Sequence, residues 1–157
     1  MSFQRQDYLL RMIGELRQFV STVVSAGGPG RAAEALHAIM HAQQQLFQIP
    51  PEKITNLTLD EQLDTLSRGE RPTGAVEKVI AHATILGEAA RIYEGTDRLA
   101  LARSSRQLAL AALLTAAARW PEQRALVAPS IAAQRDGIDD ETPAPVRELL
   151  SVYDQSA

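Results

Sequence analysis

From about Gln4 to Ser25, Leu9, Met12, Ile13, Leu16, Phe19, Val20 and Val23 recur every three or four positions, which predicts one amphipathic helix. Arg11, Glu15, Gln18 and Thr22 fall on its opposite face. Gly27-Gly28-Pro29-Gly30 should end that helix, since glycine tolerates a left-handed backbone and proline cannot prolong a helix. A second helix is predicted from about Arg31 to Gln48, with Ala32, Ala35, Leu36, Ile39, Met40, Gln43, Leu46 and Phe47 inward, stopped by Pro50-Pro51. Thr58 and Glu61 have the spacing of a capping box, in which each side chain satisfies the other residue's free backbone amide. A short third helix therefore runs from Leu59 to Arg68, closed by Gly69.

The fourth helix, about Gly74 to Glu94, carries two apolar stripes rather than one. Val76, Val79, Ile80, Ala83, Leu86, Ala90 and Tyr93 form the first, and Ala81, Ile85, Ala89 and Ile92 lie roughly opposite, so this helix is either central or at an oligomer contact. The fifth, about Arg98 to Arg119 with Asp97 as N-cap, is likewise apolar on more than one side. Leu99, Ala102, Leu110, Leu113 and Ala117 make one of its rows, interrupted by Arg106. A sixth helix follows Trp120-Pro121 and reaches Arg135 with a bend or restart near Pro129, then Gly137 and the acidic Asp139-Asp140-Glu141 lead into a last helix from Pro145 to Asp154. No segment alternates as a strand does, so the chain reads as one all-α domain over residues 1–157, built of antiparallel helical hairpins with six to seven helices.

The segment from Thr84 to Ala118 has a hairpin's form, two long helices joined at Glu94-Gly95-Thr96-Asp97. Ala90 precedes Tyr93 by three residues, and Ala102 precedes Ala109 by seven, placing small residues where paired helices touch. In these residues the hairpin resembles a degenerate tetratricopeptide repeat, with Leu86 in place of its tryptophan, Ala90 for its glycine, Arg106 at its aromatic position and Leu114 at its proline. Gly30, Ala35 and Ala42 repeat the spacing of Asp97, Ala102 and Ala109 about two 34-residue periods upstream. Through Gln6-Asp7-Tyr8-Leu9-Leu10-Arg11-Met12-Ile13, Ile49-Pro50-Pro51-Glu52 and Tyr93-Glu94 the whole chain also resembles an uncharacterised bacterial family of tetratricopeptide-like proteins. That resemblance implies a fold, not an activity, and brings no functional residues with it.

Composition narrows the function classes. A length of 157 residues is enough to bury a core without staples. No cysteine is present, which removes disulfides, thiolate ligands and thiol nucleophiles together and fits a cytoplasmic setting. Net charge of -3 offers nucleic-acid phosphates no long-range attraction, so nucleic acid is not an expected partner. The least polar run, Leu108 to Ala118, is about half of the roughly 20 residues that cross a bilayer, and charges at Asp7, Arg11, Glu15 and Arg17 break any signal-peptide core. Neither a membrane span nor a leader is expected.

Candidate chemistry is sparse. His37 and His41 stand one helical turn apart, the spacing at which two imidazoles share a metal ion, but Ala38 occupies the place of the zinc-protease glutamate and both project away from the apolar stripe. They read as a polar face, with metal binding the alternative and His82 a third ligand only if the helices lie side by side. Gly27 to Arg31 lacks the strand and lysine of a phosphate loop, and Asp136 to Glu141 lacks the ligand spacing of a calcium loop. No glycine-flanked serine elbow occurs. Arg106 either snorkels to solvent or pairs with a carboxylate, the alternative being that it lines a groove for an acidic ligand, aided by Arg91 and Arg103.

The chain is therefore expected to be a non-enzymatic helical module without a cofactor, binding another protein or itself, homodimerisation being the simplest form. Its surface is expected at Ile85, Ala89, Ile92, Leu99, Arg106, Leu110 and Leu113, unless terminal helices cover those rows. The alternative is a helical bundle that encloses a small ligand or metal ion and acts as an enzyme.

Overall fold

The structure, a computed structural model, describes residues 2–27, 29–136, 138–139 and 141–156, with side chains from residue 7 onward except residue 29. Gly28, Gly137 and Asp140, expected in turns, lie outside the described residues. Eight α-helices are present among the described residues: α1 (Ser2–Ala26), α2 (Pro29–Phe47), α3 (Pro51–Ile54), α4 (Leu59–Ser67), α5 (Pro72–Gly95), α6 (Leu99–Arg119), α7 (Arg124–Arg135) and α8 (Ala144–Gln155). A 3-10 turn, Pro121–Gln123, joins α6 to α7. The all-α class is as the periodicity predicts.

The prolines differ from expectation in one consistent way. Pro29, Pro51 and Pro72 each open a helix, because a proline at the first helical position lacks an amide that would be unpaired there anyway. Pro51 thus starts the one-turn α3 that raises the helix count to eight. Pro129 lies inside α7, which continues through it to Arg135 where a bend or restart was expected. Asp97 is not a cap: it sits in the turn with φ 59, and Arg98 precedes α6 without a capping side chain. Gly27 takes φ 71 after α1, the left-handed backbone that a helix end requires. At α4 the Thr58 amide donates to Glu61 Oε1 at 2.9 Å and the Glu61 amide to Thr58 Oγ1 at 3.2 Å, completing the capping box. The hydrogen bonds from Thr58 hold the Glu61 carboxyl below its ordinary pKa.

Helix α5 is the axis of the molecule. Thirteen of its 24 residues are buried, and α1, α2, α4, α6 and α7 all pack against it. Arg91 donates to Ser21 at 3.0 Å, and Val24 lies 3.8 Å from where a side chain on Gly95 would begin, so α1 runs beside α5 in the same direction. Helix α7 approaches closely at Gly87, where a Cβ would come within 3.2 Å of Gln134 Nε2. On another side α2, α4 and α5 meet at a polar point within the core. His82 lies edge-on to Phe47 with ring centroids 4.9 Å apart, and its Nε2 is 3.1 Å from Gln62 Oε1. Gln62 in turn donates to the Leu57 carbonyl, which fixes its amide so that Oε1 faces the imidazole.

Charged ties hold the outer helices. Arg119 reaches Asp64 at 2.7 Å and Asp60 at 3.2 Å, fastening α4 to α6. Arg124 lies 3.7 Å from the Tyr153 ring and Arg135 3.0 Å from Asp154, fastening α8 to α7. In the acidic segment before α8, Glu141 and Asp139 remain largely exposed and pair with Arg103 of α6. No helix among the described residues is long and apolar enough to cross a membrane.

Candidate interaction surface

The surplus apolar rows are covered within the chain. Ile85, Ala89, Ile92, Leu110 and Leu113 are all buried, at 0, 5, 1, 0 and 0% exposure, because α5 and α6 are each enclosed by further helices rather than by a partner. Burying each large side chain among these stabilises the fold by about 1.5–3 kcal/mol, so none is available to a binding surface without unfolding. These five positions are core. Of the expected surface only Leu99, 63% exposed, and Arg106 reach solvent.

Arg106 has a partner. Its guanidinium lies 2.7 Å from Glu94 Oε1, tying α6 to the end of α5 near the turn of the hairpin, so its place in an apolar row is compensated by a carboxylate. Both side chains are partly exposed, where such pairs contribute about 0–1 kcal/mol. Arg106→Met is therefore expected to shift the melting temperature by less than about 4 °C in either direction, read by circular dichroism. A larger fall would mean that the pair anchors the hairpin.

His37 and His41 both lie exposed on α2, and no cluster of three or more metal-ligating side chains exists among the described residues. His82 is sealed in the core on Phe47 and Gln62. Its burial lowers its pKa from 6.5 to about 4, so it is neutral at physiological pH.

Exposed apolar side chains concentrate on α1 and at its margins. Among the described residues, Tyr8, Leu10 and Val24 on α1, with Met40 on α2 and Leu126 on α7, are the large ones outside α6 and α8. Two open grooves flank α1. The first, about 380 Å³ between α1 and α2, is bridged by the Tyr8 hydroxyl donating to Gln45 Oε1 at 2.9 Å. The second, about 340 Å³, lies between α1 and α7 with α5 as its floor. Leu9, Leu10 and Ile13 form one wall, Leu126 and Ser130 the other, and Ile80, Ala81 and Thr84 the base. Leu10 is 65% and Leu126 39% exposed, one on each side.

Polar groups sit at the margins of this second groove. Glu77 and Arg17 line it, and neither has a hydrogen-bond or ion-pair partner among the described residues. Partial burial, with the nearby Glu70 carboxylate adding to it, raises the Glu77 pKa above its ordinary value. Leu10 falls outside the regular α1 stripe, and this was the available sequence signal for the groove. Leu126, Glu77 and Arg17 carry no such signal, since only the packing of α7 beside α5 brings them together. Compared with protein-family models, curated protein sequences and solved structures, the chain matches none.

Proposed function

We propose that the chain is a non-enzymatic helical interaction module, and that the groove between α1, α5 and α7 is the surface by which it binds another polypeptide. The observation that carries this reading is an open trough of about 340 Å³ with a largely apolar lining and an exposed leucine on each bank, the kind of surface on which an amphipathic helix lays its apolar face. A tetratricopeptide-like reading of the fold belongs with it, supported by Ala90, Ala102 and Ala109 buried in the α5–α6 hairpin and by Ala35 and Ala42 buried in α2. The first member of that echo differs in backbone, since Asp97 is left-handed and Gly30 lies inside a helix. The absence of cysteine suits a cytoplasmic setting.

The test places a photo-crosslinking phenylalanine analogue at Leu10 or Leu126, and at the exposed Ala100 as control, in the cells that produce the protein. Adducts with one identified protein, or with the chain itself, are expected from Leu10 and Leu126 only, and should vanish when Asp is placed at the other of the two positions. Adducts equally frequent from Ala100, or none, would exclude the groove as a binding surface.

A further inference from the structure

The occupant of this groove follows from its charges, given that the groove is a binding surface at all. Glu77 is the first α5 residue of the lining, and because α1 and α5 run in the same direction it shares the Leu9–Leu10 end of the trough, whereas Arg17 lies about two helical turns further along α1 than Leu10, toward Thr84. An anion at one end and a cation at the other, neither with a counterion among the described residues, make the trough its own electrostatic complement when it is turned through a two-fold axis. A foreign helix would have to match this polarity; a second copy matches it by symmetry.

Gly14 adds an independent observation. It lies in the interior of the 25-residue α1, where glycine weakens a helix relative to alanine. No close approach among the described residues requires it, since a Cβ added there would meet no atom beyond its own stretch of helix backbone within 4 Å. Leu10 and Arg17 flank it at four residues before and three after, on one side of the helix. A missing side chain at this point lets another helix backbone come close.

We propose that two copies of the chain associate through this groove about a two-fold axis, their α1 helices crossing antiparallel at Gly14, with Arg17 of each protomer bound to Glu77 of the other. In that arrangement the arginine stem covers Leu10 and its guanidinium reaches the carboxylate, so both exposed leucine flanks and both lone charges are used twice. The rising proton affinity that burial gives Glu77 is reversed once a cation meets it.

Sedimentation equilibrium of the full chain and its variants at low salt tests the contact. The wild type should dimerise, and Arg17→Glu or Glu77→Arg alone should weaken the homodimer by about tenfold or more, because each reversal creates two like-charge contacts. Mixing the two single variants should restore dimers of near wild-type affinity, since each charged contact then joins opposite signs again. Gly14→Leu should also weaken dimerisation about tenfold or more while its monomer melts no lower than the wild-type monomer. A wild type that stays monomeric at millimolar concentration, homodimers indifferent to both reversals, or a mixture that fails to recover would each overturn the proposal. Monomers that still give foreign-protein adducts at Leu10 and Leu126 would overturn the two-fold contact while leaving the binding surface intact. Absence of any adduct would remove both.

Discussion

Replacing Ala109 with tryptophan should lower stability by about 3 kcal/mol or more, the upper end of what overpacking a core costs. Ala109 is fully buried in α6, in register with Ala102 and Ala116 at seven-residue intervals, both of them buried as well. On α5, Ala83 and Ala90 repeat the same interval and are equally enclosed. Small side chains at these positions let the two longest-packed helices approach, and interiors are too densely filled to absorb an indole without moving one of them. A shift of the thermal midpoint by about 6–12 °C or more is expected for a chain of this size. Ala100→Trp, on the exposed start of the same helix, should leave the midpoint within about 2 °C. Equal melting of wild type and the Ala109 variant would show that α5 and α6 do not meet through this seam.

The second large effect is one of pH. His82 is fully buried, and that burial lowers its pKa from 6.5 to about 4. Below pH 6.5 the unfolded chain takes up a proton at this site, and the folded chain does not until the pH falls to about 4. The unfolded state therefore holds more protons in that window, and stability declines as the pH falls through it. The stabilisation is complete above 6.5 and is lost by about 4, amounting to roughly 3 kcal/mol at about 1.4 kcal/mol per pH step. The geometry agrees with the direction, since Nε2 donates to Gln62 while Nδ1 is buried without a partner, so a second ring proton would have no acceptor. Denaturant titrations at pH 4.0 and 6.5 should show this loss in the wild type. In His82→Phe, which keeps an aromatic ring against Phe47, the difference between the two pH values should shrink by about that amount. An undiminished difference would assign the acid sensitivity to other groups.

The reach of the sequence differs from one region to the next for physical reasons. Helix bodies follow from apolar spacing, and the capping box of α4 from two residues three apart, because both are local interactions. Helix starts at Pro29, Pro51 and Pro72 were less legible, since proline either ends one helix or begins the next and only the succeeding packing decides which. For the two-faced α5 and α6 the periodicity correctly requires two coverings. It contains nothing about whether those coverings come from the same chain, so Ile85, Ala89, Ile92, Leu110 and Leu113 could be read as surface although they are core.

What the sequence determined by itself is the helical class and the α5–α6 hairpin with its small buried residues, both of which depend on residues a few positions apart. The tertiary structure alone decided which apolar faces are enclosed and which remain open. Leu10, Glu77 and Leu126 share a groove only because α1 and α7 lie on either side of α5, and no periodicity within one helix encodes the position of its neighbours.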